Sequence, residues 1–175
     1  MAAPAALVTG GAKRIGAVLV RTLAAAGYRI ARHYRTAEAE ARALAAELAA
    51  GGGECRLFPA DLADRAAAAA LAEDACRKMG GLALLVNNAP VFEKRAPRET
   101  SAADLDATLA VNFFAPFLLT RHFAAQGTPG QVINILDSKL GEHNPDFAAY
   151  LISRRMLADW TRLAALEYAP RVRVN

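Results

Sequence analysis

Residues 6–16 read Ala-Leu-Val-Thr-Gly-Gly-Ala-Lys-Arg-Ile-Gly, an apolar run that breaks into a glycine-rich turn and enters a helical pattern at Arg14. A buried strand followed by such a turn and a helix puts backbone amides, and the positive end of the helix, where a pyrophosphate can sit. Alone, a glycine turn also reads as plain structure. Its place between the first strand and the first helix of a βα unit points instead to a nucleotide phosphate, with Gly10, Lys13, Arg14, Ile15 and Gly16 as candidate contacts.

The second strand, predicted over 28–33, runs into His33-Tyr34-Arg35-Thr36. A site for NAD expects an acidic residue there to hold the ribose hydroxyls, whereas an arginine accommodates the extra phosphate of NADP. No acid stands at that point and Arg35 does. With Lys13 and Arg14 on the neighbouring turn, three cations are expected to converge on one phosphorylated ribose, and NADPH is the expected cofactor. The competing reading is a solvated basic surface.

Apolar runs and helical patterns alternate along the rest of the chain. Helices are predicted over 14–26, 37–50, 63–79, 102–125 and 147–168, and strands over 6–9, 28–33, 55–59, 82–87, 131–137 and 171–175. The almost wholly apolar 82–87 is what a strand buried on both faces looks like. Strict βα alternation implies right-handed crossovers and an α/β, Rossmann-like doubly wound parallel sheet, with residues 1–175 as one domain. The last strand reads as a stub at a sheet edge with no helix after it to cover it.

With 175 residues, 54% of them hydrophobic, the chain can build one core without disulfide or metal staples. Cys55 and Cys76 are far apart, and His33, His122 and His143 show no ligand spacing, so no metal site is expected and a reduced, cytoplasmic setting is the simpler reading. The start lacks the pattern of a signal peptide, and the longest uncharged stretches, 79–92 and 107–120, are shorter than a membrane span. The net charge of +4 comes from scattered arginines with no long basic run. The expected partner is a small-molecule substrate rather than nucleic acid or membrane.

The order of motifs resembles the short-chain dehydrogenase/reductase family, and within it the pteridine reductase-like branch. Thr9–Gly16 looks like that branch's glycine turn, with Arg14 where most of the wider family has a second glycine. Asp61-Leu62 resembles the adenine-contacting pair, Asn87-Asn88-Ala89 the signature after the fourth strand, Asn112 the helix asparagine of a proton relay, and Tyr150 the catalytic tyrosine. The resemblance implies cofactor contacts at Tyr34, Arg35, Thr36, Asp61, Leu62, Asn88 and Ala89. Asp137, thirteen residues before Tyr150 where the wider family usually has serine, is typical of the pteridine branch. Phe92 falls where the branch stacks an aromatic on the pterin ring. Ser138 competes with Asp137 for that position, but strand alternation would turn it to the other face.

That resemblance implies hydride transfer from NADPH to a C=N or C=O bond of a pterin or similar ring, with Tyr150 as proton donor. A phenol's pKa near 10 is high for this work, and a cation about 5 Å away at an effective dielectric of about 20 would favour the phenolate by roughly 3 kcal/mol, about two pKa units. The family places a lysine four residues after the tyrosine; here the position holds Arg154, whose planar fork differs from an ammonium. Pro90 is a second departure. Family members also continue past Asn175 into a substrate lid and a last strand, so a C-terminally truncated sheet is expected, with a homo-oligomer left open. The plain readings of single residues are a turn cap for Asp137, a core aromatic for Phe92 and a helix brace for Asn112. Two other functions stay in view, a general carbonyl reductase and a catalytically impaired nucleotide-binding relative.

Overall fold

In the computed structural model, which describes residues 2–138 and 140–175, parallel strands form one sheet in the order β3-β2-β1-β4-β5-β6. They are β1 Ala5–Val8, β2 Arg29–Tyr34, β3 Cys55–Pro59, β4 Leu84–Asn87, β5 Gly130–Asn134 and β6 Val172–Val174. The strand order reverses between β1 and β4, and in such sheets ligands bind at the carboxyl ends of the strands flanking that reversal. Both strands there are buried throughout, which is why their sequences read as unbroken apolar runs.

Helices cover both faces. Val20 of α1 (Arg14–Ala25) and Leu44 of α2 (Glu38–Ala50) pack with Ala6, Val8, Ile30 and Val86 on one side. On the other, α3 (Arg65–Met79), the helical run from Ala102 and α6 (Ala148–Tyr168) close over Leu7, Leu85, Val132 and Val172. Asp64 caps α3 by accepting from the amides of Ala66 and Ala67, and Gly80, at φ +69, ends it in the left-handed conformation that glycine adopts without a Cβ penalty.

The predicted helix over 102–125 divides into α4 (Ala102–Leu109), a π-helical turn (Ala110–Phe114) and α5 (Ala115–Ala125). Pro116 has no N–H to return to the carbonyl of Asn112, and the ladder widens there, so that the Ala115 amide donates to the Ala110 carbonyl. The continuous run Ala102–Ala125 is, by length and composition, sufficient for a membrane span, which the count of uncharged stretches had not shown. Here its Val111, Ala115, Leu119 and Phe123 are buried in the core beside the sheet.

Strand β5 ends at Asn134, three residues short of the predicted limit, so Asp137 and Ser138 lie on the loop beyond it. Strand alternation therefore does not decide between them. Strand β6 is the last in the sheet order, with Val172 and Val174 buried and Arg173 exposed between them.

Candidate active site

The nucleotide half is built on Thr9. Its hydroxyl accepts from the amides of Asn88 (2.9 Å) and Ala89 (3.2 Å), and its carbonyl accepts from Asn88 Nδ2 (3.0 Å), tying the end of β4 to the turn after β1. Gly10 sits at φ +62, where a Cβ would lie 3.0 Å from that of Ala89. At Gly16 a Cβ would lie 2.1 Å from the Gly10 carbonyl oxygen, so only glycine lets α1 start this close to the turn. Gly11 has no such freedom either, because a Cβ there would meet Arg32 Cγ at 2.7 Å. Lys13 at the N-cap makes no side-chain hydrogen bond to the helix, and the first amides of α1 have no intrahelical acceptor. The result is an uncapped, glycine-lined helix start of the kind that receives a phosphate.

The three cations do not converge as expected. Lys13 pairs with Glu40 at 2.6 Å and Arg35 with Asp61 at 4.0 Å, while Arg14 holds a positive φ of 50 on the exposed turn. Both pairs are more than half exposed on their cationic side, and such pairs contribute only about 0–1 kcal/mol, so a phosphate dianion could replace either carboxylate. Tyr34 is buried against Ala12, Ala37, Ala41 and Leu57, and Leu62 is buried in the main core; their side chains are packing, which leaves only backbone to face a ligand. Thr36 and the apolar Ile15 are exposed beside the turn. Arg32 is fully buried, and its guanidinium nitrogens have no hydrogen-bond partner among the described residues.

The catalytic candidates gather around the start of α6. The Tyr150 hydroxyl donates to Asp137 Oδ2 at 2.7 Å, so the aspartate singled out in the sequence does reach the tyrosine although it lies beyond the strand. Arg154, 4% exposed, places its guanidinium carbon 5.4 Å from the Tyr150 ring centre, and its Nε is buried without a hydrogen-bond partner among the described residues. Burial, reinforced by the Asp137 hydrogen bond, pushes the Tyr150 phenol above its ordinary value, against the pull of the Arg154 guanidinium. The expected lowering by the cation is thus outweighed.

Asn112, with no exposed surface, works as a brace. Its Oδ1 accepts from the Val91 amide (2.8 Å), and its Nδ2 donates to the Val91 carbonyl (2.9 Å) and to Ser153 Oγ (3.0 Å). Ser153 Oγ in turn donates to the Tyr150 carbonyl at 2.6 Å, so the side chain of Asn112 locks the β4 loop to the first turn of α6. The sequence reading passed over Ser153. It also passed over Phe147, whose ring stacks on Phe92 at 4.7 Å and 14°, while Phe92 meets Tyr150 edge-on at 4.6 Å. Phe92 is 58% exposed, so it is not a core aromatic. Lys94 pairs with Asp146 at 3.0 Å and the Arg95 amide donates to the Asp146 carbonyl, holding the two segments together in front of Tyr150.

This arrangement of glycine turn, Asn88 tie, Asn112 brace and Tyr150 can be set beside known proteins. Residues 4–175 match the short chain dehydrogenase family. The chain belongs to that family. Among relatives of this short chain dehydrogenase is a D-threitol dehydrogenase of Mycolicibacterium smegmatis, 35% identical over 97% of this chain; the chain spans 66% of that relative's length. Pteridine reductase 1 of Leishmania tarentolae is 31% identical over 99% of this chain and 74% of its own. The crystal structure of FolM alternative dihydrofolate reductase 1 from Brucella canis, complexed with NADP, superimposes with a TM-score of 0.92 at 34% identity, covering 98% of this chain and 71% of that one. The doubly wound sheet predicted from the sequence is the fold observed.

Proposed function

We propose that the protein is an NADPH-dependent oxidoreductase that reduces a C=N or C=O bond in a planar ring, a pterin or a similar heterocycle, with residues 1–175 acting as one dinucleotide-binding domain. The observation that carries this reading is the hydrogen bond from Tyr150 to Asp137 beside the buried Arg154. Similar proteins solved with NADP, and a pteridine reductase among the relatives, support it.

The uncapped start of α1, with Gly10, Gly16 and the exposed Ile15, is the proposed pyrophosphate site, and Lys13, Arg14, Arg35 and Thr36 are the proposed contacts of a phosphorylated ribose, the two paired cations exchanging Glu40 and Asp61 for the phosphate. Asp61 and the backbone of Leu62 fit the adenine end. Bound there, the cofactor supplies a hydride. The chain supplies the proton: as negative charge develops on the substrate atom, the Tyr150 hydroxyl turns from Asp137 to donate to it, and Arg154 holds the resulting phenolate. A phenol pushed above its ordinary value stays protonated at neutral pH, which suits an acid in the reductive direction. Asn112 and Ser153 fix the backbone that carries Tyr150, and Phe92, oriented by Phe147, offers a ring for a flat substrate to stack on. Mixing NADPH with a panel of oxidised and dihydro pterins tests the proposal; loss of NADPH absorbance is the expected result, and reduction of simple ketones without pterins would favour a general carbonyl reductase.

A further inference from the structure

His33 is a titratable group of the nucleotide half that the proposed chemistry leaves unused. It lies near the end of β2 and is 2% exposed. Its Nδ1 accepts from the Gly10 amide at 3.1 Å, and its Nε2 lies 3.1 Å from the Ala60 carbonyl. A carbonyl only accepts and an amide only donates, so these partners fix one state of the ring: Nε2 carries the proton and Nδ1 is bare. The backbone joins in, since the His33 carbonyl accepts from the Gly11 amide at 3.0 Å and the adjacent Tyr34 carbonyl from the Ala60 amide at 3.1 Å. The turn after β1 and the loop after β3 therefore both hang on this one imidazole and its backbone.

We propose that His33 is a positioning residue for the dinucleotide: its neutral ring sets the spacing between the phosphate turn at Gly10 and the adenine-side loop at Ala60-Asp61, and protonation of Nδ1 releases the turn and weakens binding. This rests on the reading that those two segments hold one cofactor. An imidazolium has no lone pair for the Gly10 amide and sets two N–H groups against each other. The charged groups on the surrounding elements include the buried Arg32 on β2, Lys13 and Arg14 on the turn, Arg35 after β2, and Asp61 and Asp64 after β3. Of these, Asp61 favours the charged ring, and burial opposes it more strongly, so the ring charges only below its ordinary value of 6.5.

The test is a titration of the full chain with NADP and with NAD between neutral and mildly acid pH, for the wild type, His33→Asn and His33→Leu. The expected result is tight binding by the wild type at neutral pH and a loss approaching about tenfold per pH unit once the ring charges. Asn can accept from the Gly10 amide through Oδ1 but does not titrate. His33→Asn keeps the Gly10 contact and loses the one to Ala60, so it should bind more weakly than the wild type at neutral pH but more tightly than His33→Leu, and show only whatever pH dependence the ligand itself contributes. His33→Leu should bind at least about tenfold more weakly at every pH. In the wild type alone, the ring signals of His33, followed by NMR, should shift over the pH range in which binding is lost. Ring titration without loss of affinity overturns the inference, as does a His33→Asn profile identical to that of the wild type. Failure of the wild type to bind either dinucleotide at neutral pH overturns the proposed function, and this inference with it.

Discussion

Replacing Arg154 by methionine keeps a long apolar stem in the first turns of α6 and removes the buried charge beside Tyr150. Taking the 5.4 Å from the guanidinium carbon to the ring centre as the scale of the charge separation, an effective dielectric of about 20 gives a Coulomb attraction for the phenolate on the order of 3 kcal/mol, or about two pKa units. Arg154 is 4% exposed, so little of this is lost to solvent screening. If proton transfer is about half complete in the transition state, roughly half of that energy appears in the barrier, and turnover falls about tenfold. The assay is kcat against pH at saturating NADPH and substrate. Arg154→Met should lower kcat about tenfold and move the alkaline limb of the profile upward, because the phenol is then held by burial and Asp137 alone. Unchanged kcat with an unmoved limb would refute the electrostatic role given to Arg154. Arg154→Lys keeps the charge and should leave the limb within about one pH unit of the wild type.

Tyr150→Phe should lower turnover at least about a hundredfold while NADPH affinity, measured by fluorescence, stays within about threefold, since the hydroxyl is the proposed proton donor and not a proposed cofactor contact. Gly16→Ala forces a Cβ to within 2.1 Å of the Gly10 carbonyl oxygen, and denaturant unfolding should show a loss of about 3 kcal/mol or more, together with lost dinucleotide binding. Asn112→Leu leaves the Val91 amide and carbonyl without their side-chain partners and should cost about 2–4 kcal/mol by the same measurement. The depressed His33 imidazole predicts that its contribution to stability is complete above about pH 6.5 and is lost as pH falls through the lower folded value. Thermal unfolding of the wild type should show this acid loss and His33→Asn should show less of it.

The doubly wound sheet was legible because its signals are local: unbroken apolar strands, glycine punctuation and helical periodicity each sit within a few residues. Boundaries moved where one residue's backbone chemistry overrode the pattern, as at Pro116, which leaves Asn112 without a normal helical donor and widens the turn. The pairing of Tyr150 with Asp137 was legible through motif resemblance, although the strand geometry used to support it was not what brings them together. Ion pairing was not legible. Lys13 and Arg35 read as phosphate ligands because Glu40 and Asp61 are distant in sequence, and their proximity is set by how α2 and the β3 loop pack. Ser153 and Phe147 were missed for a related reason. A serine before an arginine, or a phenylalanine before a helix, carries no signal until folding sets it against Asn112 or Phe92.

The central claim, an NADPH-dependent reductase built around Tyr150, is tested most directly by following NADPH oxidation with a dihydropterin as acceptor, with NADH in parallel. The account predicts NADPH consumption matched by reduced product, weaker use of NADH, and no consumption by Tyr150→Phe despite retained NADPH binding. Tighter binding of NADH than of NADPH, or turnover undiminished in Tyr150→Phe, would contradict it.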